Sequence, residues 1–269
     1  SAVVRIGGER GDERWSIGEV SIEEKSETKY LGLKVAGGKE GGVKAFEGRK
    51  ERGGRSIGLV KFASKRSGCP FLVGREAWKG GVVSRWMYGG GALVWKVEER
   101  EELERSQREF GRWLWRVERS VRNECIHGES GWSTYKEREE KALMDFVRRI
   151  YVGGGLTALV GRGGLLELGL KSKWWSKINR ISMEYDFMGV YYMIKYRRVS
   201  PFGEKMARVP HEWIEELEKA HAASKIQERS REKWKEGLQA NERTRQYAED
   251  KREMKMERYA DGSYGARVR

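Results

Sequence analysis

The chain has 269 residues, of which 36% are charged and 38% hydrophobic, and carries a formal net charge of +14. That length can bury a real core, and the basic balance points to a polyanionic partner. Two cysteines exclude a disulfide scaffold, and no apolar run approaches the ~18 residues of a membrane span.

Three prolines favour a mostly helical chain, while 35 glycines predict helices that are individually weak. No signal peptide is recognisable, so an intracellular, nuclear or cytoplasmic chain is expected. A start at Ser1 without Met, and an end at Arg269 without a helix or strand signature, read as a fragment of something longer.

Val3, Val4 and Ile6, then Trp15, Ile17 and Val20, lead into Tyr30-Leu31-Gly32-Leu33-Lys34-Val35, which reads as a β-hairpin over residues 1–43. Gly37-Gly38 and Gly41-Gly42 form a connector to the helical part. Residues 44–130 read as a basic helical bundle. Within them, Gly48 to Trp86 holds ten Lys/Arg against Glu51 and Glu76, more than half of the net charge. Apolar positions recur at helical spacing, first Ile57, Val60, Ala63 and Ser67, then Phe71, Trp78, Val82 and Trp86. Arg49, Lys50, Arg52, Arg55, Lys61, Lys65 and Arg66 are expected on the opposite, polyanion-facing side.

Tyr88 to Trp95 is expected to continue the helix. Glu98 to Val117 forms the next, on Leu103, Phe110, Trp113, Leu114 and Val117. Residues 131–198 make a second helical region, opened by a Thr134/Glu137 capping box and carried by Leu143, Phe146, Val147 and Ile150. Leu156–Leu170 and Ser172–Met188 add two helices. Lys171 to Arg198 holds seven Lys/Arg against Glu184 and Asp186, a second basic zone in which Lys171 and Lys173 are candidate phosphate contacts. Trp174 and Trp175 cannot both face inward on one helix, so Trp174 is a candidate for stacking on a base. Residues 199–260 read as a charged helical extension, with a long exposed helix from Ala222 to Arg258 and a tail over 261–269. The expected fold is mainly α: an N-terminal β-hairpin, a basic helical bundle and a long charged C-terminal helix.

Catalytic constellations are thin. The five aspartates form no Asp-Asp pair. Tyr259-Ala260-Asp261-Gly262 lacks the second carboxylate that two-metal chemistry needs. Cys125 and His127 lie near one another in sequence, but Cys69, His211 and His221 give no zinc spacing around them.

Lys29-Tyr30-Leu31-Gly32-Leu33, preceded by Trp15-x-Ile17-Gly18, is followed in order by Arg75-Glu76-Ala77-Trp78-Lys79, Tyr88-Gly89, Gly111-Arg112-Trp113 and Gly128-Glu129-x-Gly131-Trp132-Ser133. This succession, over most of residues 13–140, resembles the region past the palm in non-LTR (LINE-like) retrotransposon reverse transcriptases, as in transposon-derived proteins of ticks. The resemblance implies a primer-grip hairpin with Tyr30 and Gly32 at its tip, followed by a thumb. It implies polymerase chemistry, with Mg²⁺, only for a parent protein whose metal-binding aspartates lie upstream. For this chain the expectation is a non-catalytic segment that binds RNA, DNA or a hybrid by its phosphates, with no cofactor, membrane or small-molecule substrate. The competing expectation is a structural or protein-interaction helical module, such as a decayed transposon copy, with no nucleic-acid role.

Overall fold

Short alternating runs at the N-terminus pair with their nearest neighbours in sequence. In the computed structural model, which describes residues 3, 14–30, 33–36, 41–152, 155–195, 215 and 218–256, β1 (Trp15–Ile17) pairs antiparallel with β2 (Val20–Ile22). β3 (Glu27–Tyr30) pairs likewise with β4 (Leu33–Ala36), placing Tyr30 opposite Leu33. The single hairpin expected between the Trp15 and Tyr30 regions is thus two hairpins. Gly18, at φ +59°, supplies the left-handed residue that closes the first one locally. Past the strands the fold is mainly α.

The chain divides into two compact units: residues 1–89 with 95–99, and residues 90–94 with 100–269. In the first unit, β4 lies against α1 (Gly41–Arg66), which also packs on α2 (Pro70–Ala77), on a π-helical segment (Trp78–Val83) and on α3 (Ser84–Met87). Pro70 starts α2 where a missing N–H costs nothing. Trp78, Val82 and Trp86 are buried, as their spacing predicts.

The buried arc of α1 differs from the predicted one. It runs through Ala45, Arg49, Gly53, Ser56, Val60 and Ser64, whereas Ala63 is exposed and Ile57 only half-buried. Small residues there let the Trp86 indole approach the helix backbone. Its Nε1 donates to the Lys50 carbonyl at 3.1 Å, and a Cβ at Gly53 would collide with the ring. The helix expected from Tyr88 to Trp95 is absent: α3 stops at Met87, and Gly90–Ala92 form only a 3₁₀ turn.

α4 (Val97–Trp115) begins in the first unit and belongs to the second from Arg100. The second unit adds α5 (Asn123–Ser130), α6 (Tyr135–Val152), α7 (Gly155–Leu168), α8 (Lys173–Glu184) and α9 (Met188–Lys195). It ends with α10 (Lys219–Gln239) and α11 (Glu242–Asp250). Leu103, Phe110 and Leu114 of α4 are buried as predicted, while Val117 lies beyond the helix and is exposed. Leu143, Val147 and Ile150 join Leu165, Trp175, Ile178, Ile181, Phe187, Val190 and Ile226 in one core, each such side chain contributing about 1.5–3 kcal/mol.

Thr134 Oγ1 accepts the Glu137 N–H at 3.1 Å, as the capping box predicts. The Glu137 carboxylate turns instead to Ser133 Oγ (2.8 Å) and Lys141 Nζ (2.7 Å). The run Ser172–Met188 is broken at Tyr185–Asp186, where Asp186 adopts φ +54°, so two helices stand where one is expected. The charged C-terminal helix is α10, and the single exposed helix expected from Ala222 to Arg258 is instead two, α10 and α11, broken at Ala240–Asn241. α10 buries Ala222, Ile226, Trp234 and Leu238 and packs against α6, and Asn241 then caps α11.

Candidate nucleic-acid interface

On α1 the cations fall outside the buried arc with one exception. Lys50, Arg55, Lys65 and Arg66 are exposed, and Lys61 and Arg52 are half-buried at the flanks. Lys61 and Lys65 stand one turn apart on the same side of the helix. Arg55 is paired with Glu51, one turn back and also exposed, a contact worth under about 1 kcal/mol. Arg52 Nε donates to the Gly48 carbonyl at 3.1 Å. Arg66 lies over the Phe62 ring, 4.6 Å from its centroid.

The exception is Arg49, only 2% exposed. Its Nε donates to the Ala45 carbonyl and its Nη1 to the Tyr88 carbonyl, each at 3.3 Å, and the guanidinium stacks 5.1 Å from the Trp95 ring centroid. Burial pushes its pKa down to about 10, partly offset by Glu99. Arg49 is therefore a core residue of the first unit, against the expectation that it faces outward with the other α1 cations. Sequence position 49 shares the arc of 53, 56, 60 and 64, so a stripe anchored on Val60 alone would have found it.

Among its described residues, the second basic zone is not all turned to solvent. Lys171 and Lys173 are exposed, Lys171 closing a 3₁₀ turn and Lys173 opening α8. Lys177, however, is buried on Glu139 at 3.3 Å. Trp174 is no free platform: its ring meets Phe146 and Trp175 edge-on, and its Nε1 donates to the Gly91 carbonyl at 2.9 Å. Both tryptophans are engaged in packing, against the expectation that one must face out, because Gly91 offers Trp174 a polar partner on the inner side. These residues lie in the second unit and the α1 cations in the first.

Tyr30 ends β3, whereas Gly32, like the Tyr259–Gly262 sequence, lies outside the described residues. Burial holds His127 neutral, with a pKa near 4, and its Nδ1 sits 3.4 Å from the Trp132 carbonyl. No cluster of three or more His, Cys, Asp or Glu among the described residues is arranged to hold a metal ion.

Two residues that the sequence reading passed over complete the outer face of α1: Leu59 and Phe62, exposed by 69% and 57%. Their positions lie off the Val60 arc, which is the signal that marks them as outward. Gly54 and Gly58 beside them have open space where a side chain would be. The outer face thus offers cations, two apolar side chains and accessible helix backbone. Comparison with protein-family models, with curated proteins and with solved structures found no significant match.

Proposed function

We propose that this chain is a non-catalytic nucleic-acid-binding segment, in which Lys50, Arg55, Lys61, Lys65 and Arg66 follow a phosphate backbone along the outer face of α1. The observation that carries the reading is the placement of these five cations outside the arc that α1 buries, four of them exposed and Lys61 half-buried at its flank. Closely spaced cations on a helix bind phosphates by releasing condensed counterions, a term independent of base sequence. The order of short motifs that resembles a retrotransposon reverse transcriptase supports a thumb-like role beside a primer-template. Polymerase chemistry, with its Mg²⁺, belongs in this proposal to a longer parent protein.

Replacing Arg55, Lys61, Lys65 and Arg66 together by Gln tests the reading in a gel-shift titration against a hybrid duplex. Binding weakened by an order of magnitude or more, at unchanged helicity, supports it. Unchanged affinity refutes it.

One observation favours the competing protein-interaction reading for the second unit. α7 exposes Leu156, Leu159, Val160 and Leu168, a run of apolar side chains in a chain otherwise rich in charge. Wild-type protein that binds no duplex at low salt would leave that reading standing.

A further inference from the structure

Among the described residues of α1, two large apolar side chains are open to solvent, Leu59 at 69% and Phe62 at 57% exposed. A single exposed leucine or phenylalanine is ordinary on a protein surface. These two have a particular setting. Arg55, Leu59, Phe62 and Arg66 follow one another at steps of four, three and four residues, so they form one stripe along the helix. The apolar pair sits in its middle and an exposed arginine at each end. Arg66 lies over the Phe62 ring, 4.6 Å from its centroid, while more than half of the phenylalanine stays open. Lys61 and Lys65 run beside the stripe, and Gly58, one turn before Phe62, has open space where a side chain would be.

These surroundings select what can cover the pair. The centre of a protein–protein interface is depleted in lysine, and closing one here would strip several cations of water without supplying opposite charge. A blunt duplex supplies phosphates, but it shows only base edges in its grooves and keeps the base faces stacked inside. An unpaired strand supplies both parts: a row of phosphates, and flat base faces that stack on aromatic rings and guanidinium planes.

We infer that this stripe holds unpaired nucleotides, with Phe62 and Arg66 as the stacking platform, Leu59 as its apolar continuation, and Lys61 and Lys65 on the phosphates. The inference rests on the phosphate-binding role proposed for α1 and narrows it to a class of strand, such as the overhang of a recessed duplex.

Fluorescence anisotropy with the full chain compares labelled oligo-dT, oligo-rU and a blunt duplex of the same length. Either single strand should bind, and the ratio between the two tells DNA from RNA as the preferred source. Phe62→Ala should weaken single-strand binding about fivefold or more and leave duplex affinity unchanged. The salt dependence of single-strand binding should stay as in the wild type, since no phosphate contact is lost. Phe62→Tyr should restore the affinity. Both apolar side chains are exposed, so thermal melts should match the wild type; if Phe62→Ala folds poorly, Leu59→Ser decides, with a smaller loss on the same strands. Single-strand binding that survives these changes overturns the inference and leaves duplex binding by the α1 cations standing. Equal losses on strand and duplex also overturn it, as does displacement of the strand by poly-glutamate at equal charge. Wild-type protein that binds neither strand nor duplex overturns both readings, whereas strand binding without duplex binding overturns only the duplex one.

Discussion

The two units handle charge in opposite ways. In the first, α1 buries glycine and serine and turns its cations outward, Arg49 excepted. In the second, acids are taken inside: Glu104, Glu137, Glu139 and Glu140 are all nine-tenths buried or more. Outward charge favours encounter with a polyanion and adds little to stability. Inward charge is costly to desolvate and holds only when paired or hydrogen-bonded. Substitutions of the outward cations in the first unit should therefore change binding, and substitutions of the buried acids in the second should change folding.

The largest effect is expected at Glu139, fully buried between Arg100 and Lys177. Glu139→Ala strands two cations, one of them buried, and should destabilise the chain by about 3–5 kcal/mol in urea denaturation. A loss below about 1 kcal/mol would break the contrast between the units.

Next comes a pH effect at the Glu104/His127 contact. Burial raises the Glu104 carboxyl to about 7 and lowers His127 to about 4, with Arg108, Arg138, Glu101 and Glu124 also acting on one or both. Folded Glu104 keeps its proton longer than in the unfolded chain, so its contribution is full below the usual 4.5 and is lost as pH rises through about 7. His127 does the reverse: its contribution is full above 6.5 and is lost as pH falls through about 4. Each is worth on the order of 3 kcal/mol, and over the window they share they nearly cancel. Glu104→Gln should uncover the histidine, so that stability relative to wild type climbs by roughly 3 kcal/mol from pH 4 to 6.5 in urea melts repeated at each pH. Parallel profiles would show that the pair does not titrate as its burial requires.

In the first unit, Arg49→Met should cost about 2 kcal/mol, since it removes the stacking on Trp95 and leaves the Tyr88 carbonyl without its donor. Its measured duplex affinity should not change. The smallest effects distinguish the two sides of α1. Gly53→Ala meets the Trp86 ring and should lose about 1–3 kcal/mol, whereas Gly58→Ala faces open space and should gain up to about 1 kcal/mol from helix propensity. Equal shifts in their thermal melts would mean that α1 is not oriented as described.

Much of the helical part was legible because apolar periodicity and caps agreed. Leu103, Phe110 and Leu114 placed α4, and Thr134 with Leu143, Val147 and Ile150 placed α6. The orientation of α1 was less so. Beside Ala45 and Val60, its buried arc holds Gly53, Ser56, Ser64 and one arginine, residues that a hydropathy pattern assigns to solvent. Nor does spacing distinguish Glu104, Glu137 and Glu139 from the solvated acids that amphipathic helices commonly carry. Their burial is set by helices far away in sequence. The break at Asp186 rests on one left-handed residue with no glycine or proline to announce it. The glycines that seemed to weaken the helices include Gly53 and Gly111, where a Cβ would strike Trp86 and Ile126, so part of the glycine excess serves close packing.

The central claim, that the outer cations of α1 contact phosphates while Arg49 does not, is tested most directly by the salt dependence of duplex affinity. For the wild type, the logarithm of the binding constant should fall linearly with the logarithm of salt concentration. The Arg55, Lys61, Lys65 and Arg66 to Gln variant should lower that slope by about four, one for each lost phosphate contact. Arg49→Gln should leave it unchanged. A slope that survives the fourfold substitution, or that drops with Arg49 alone, would contradict the assignment.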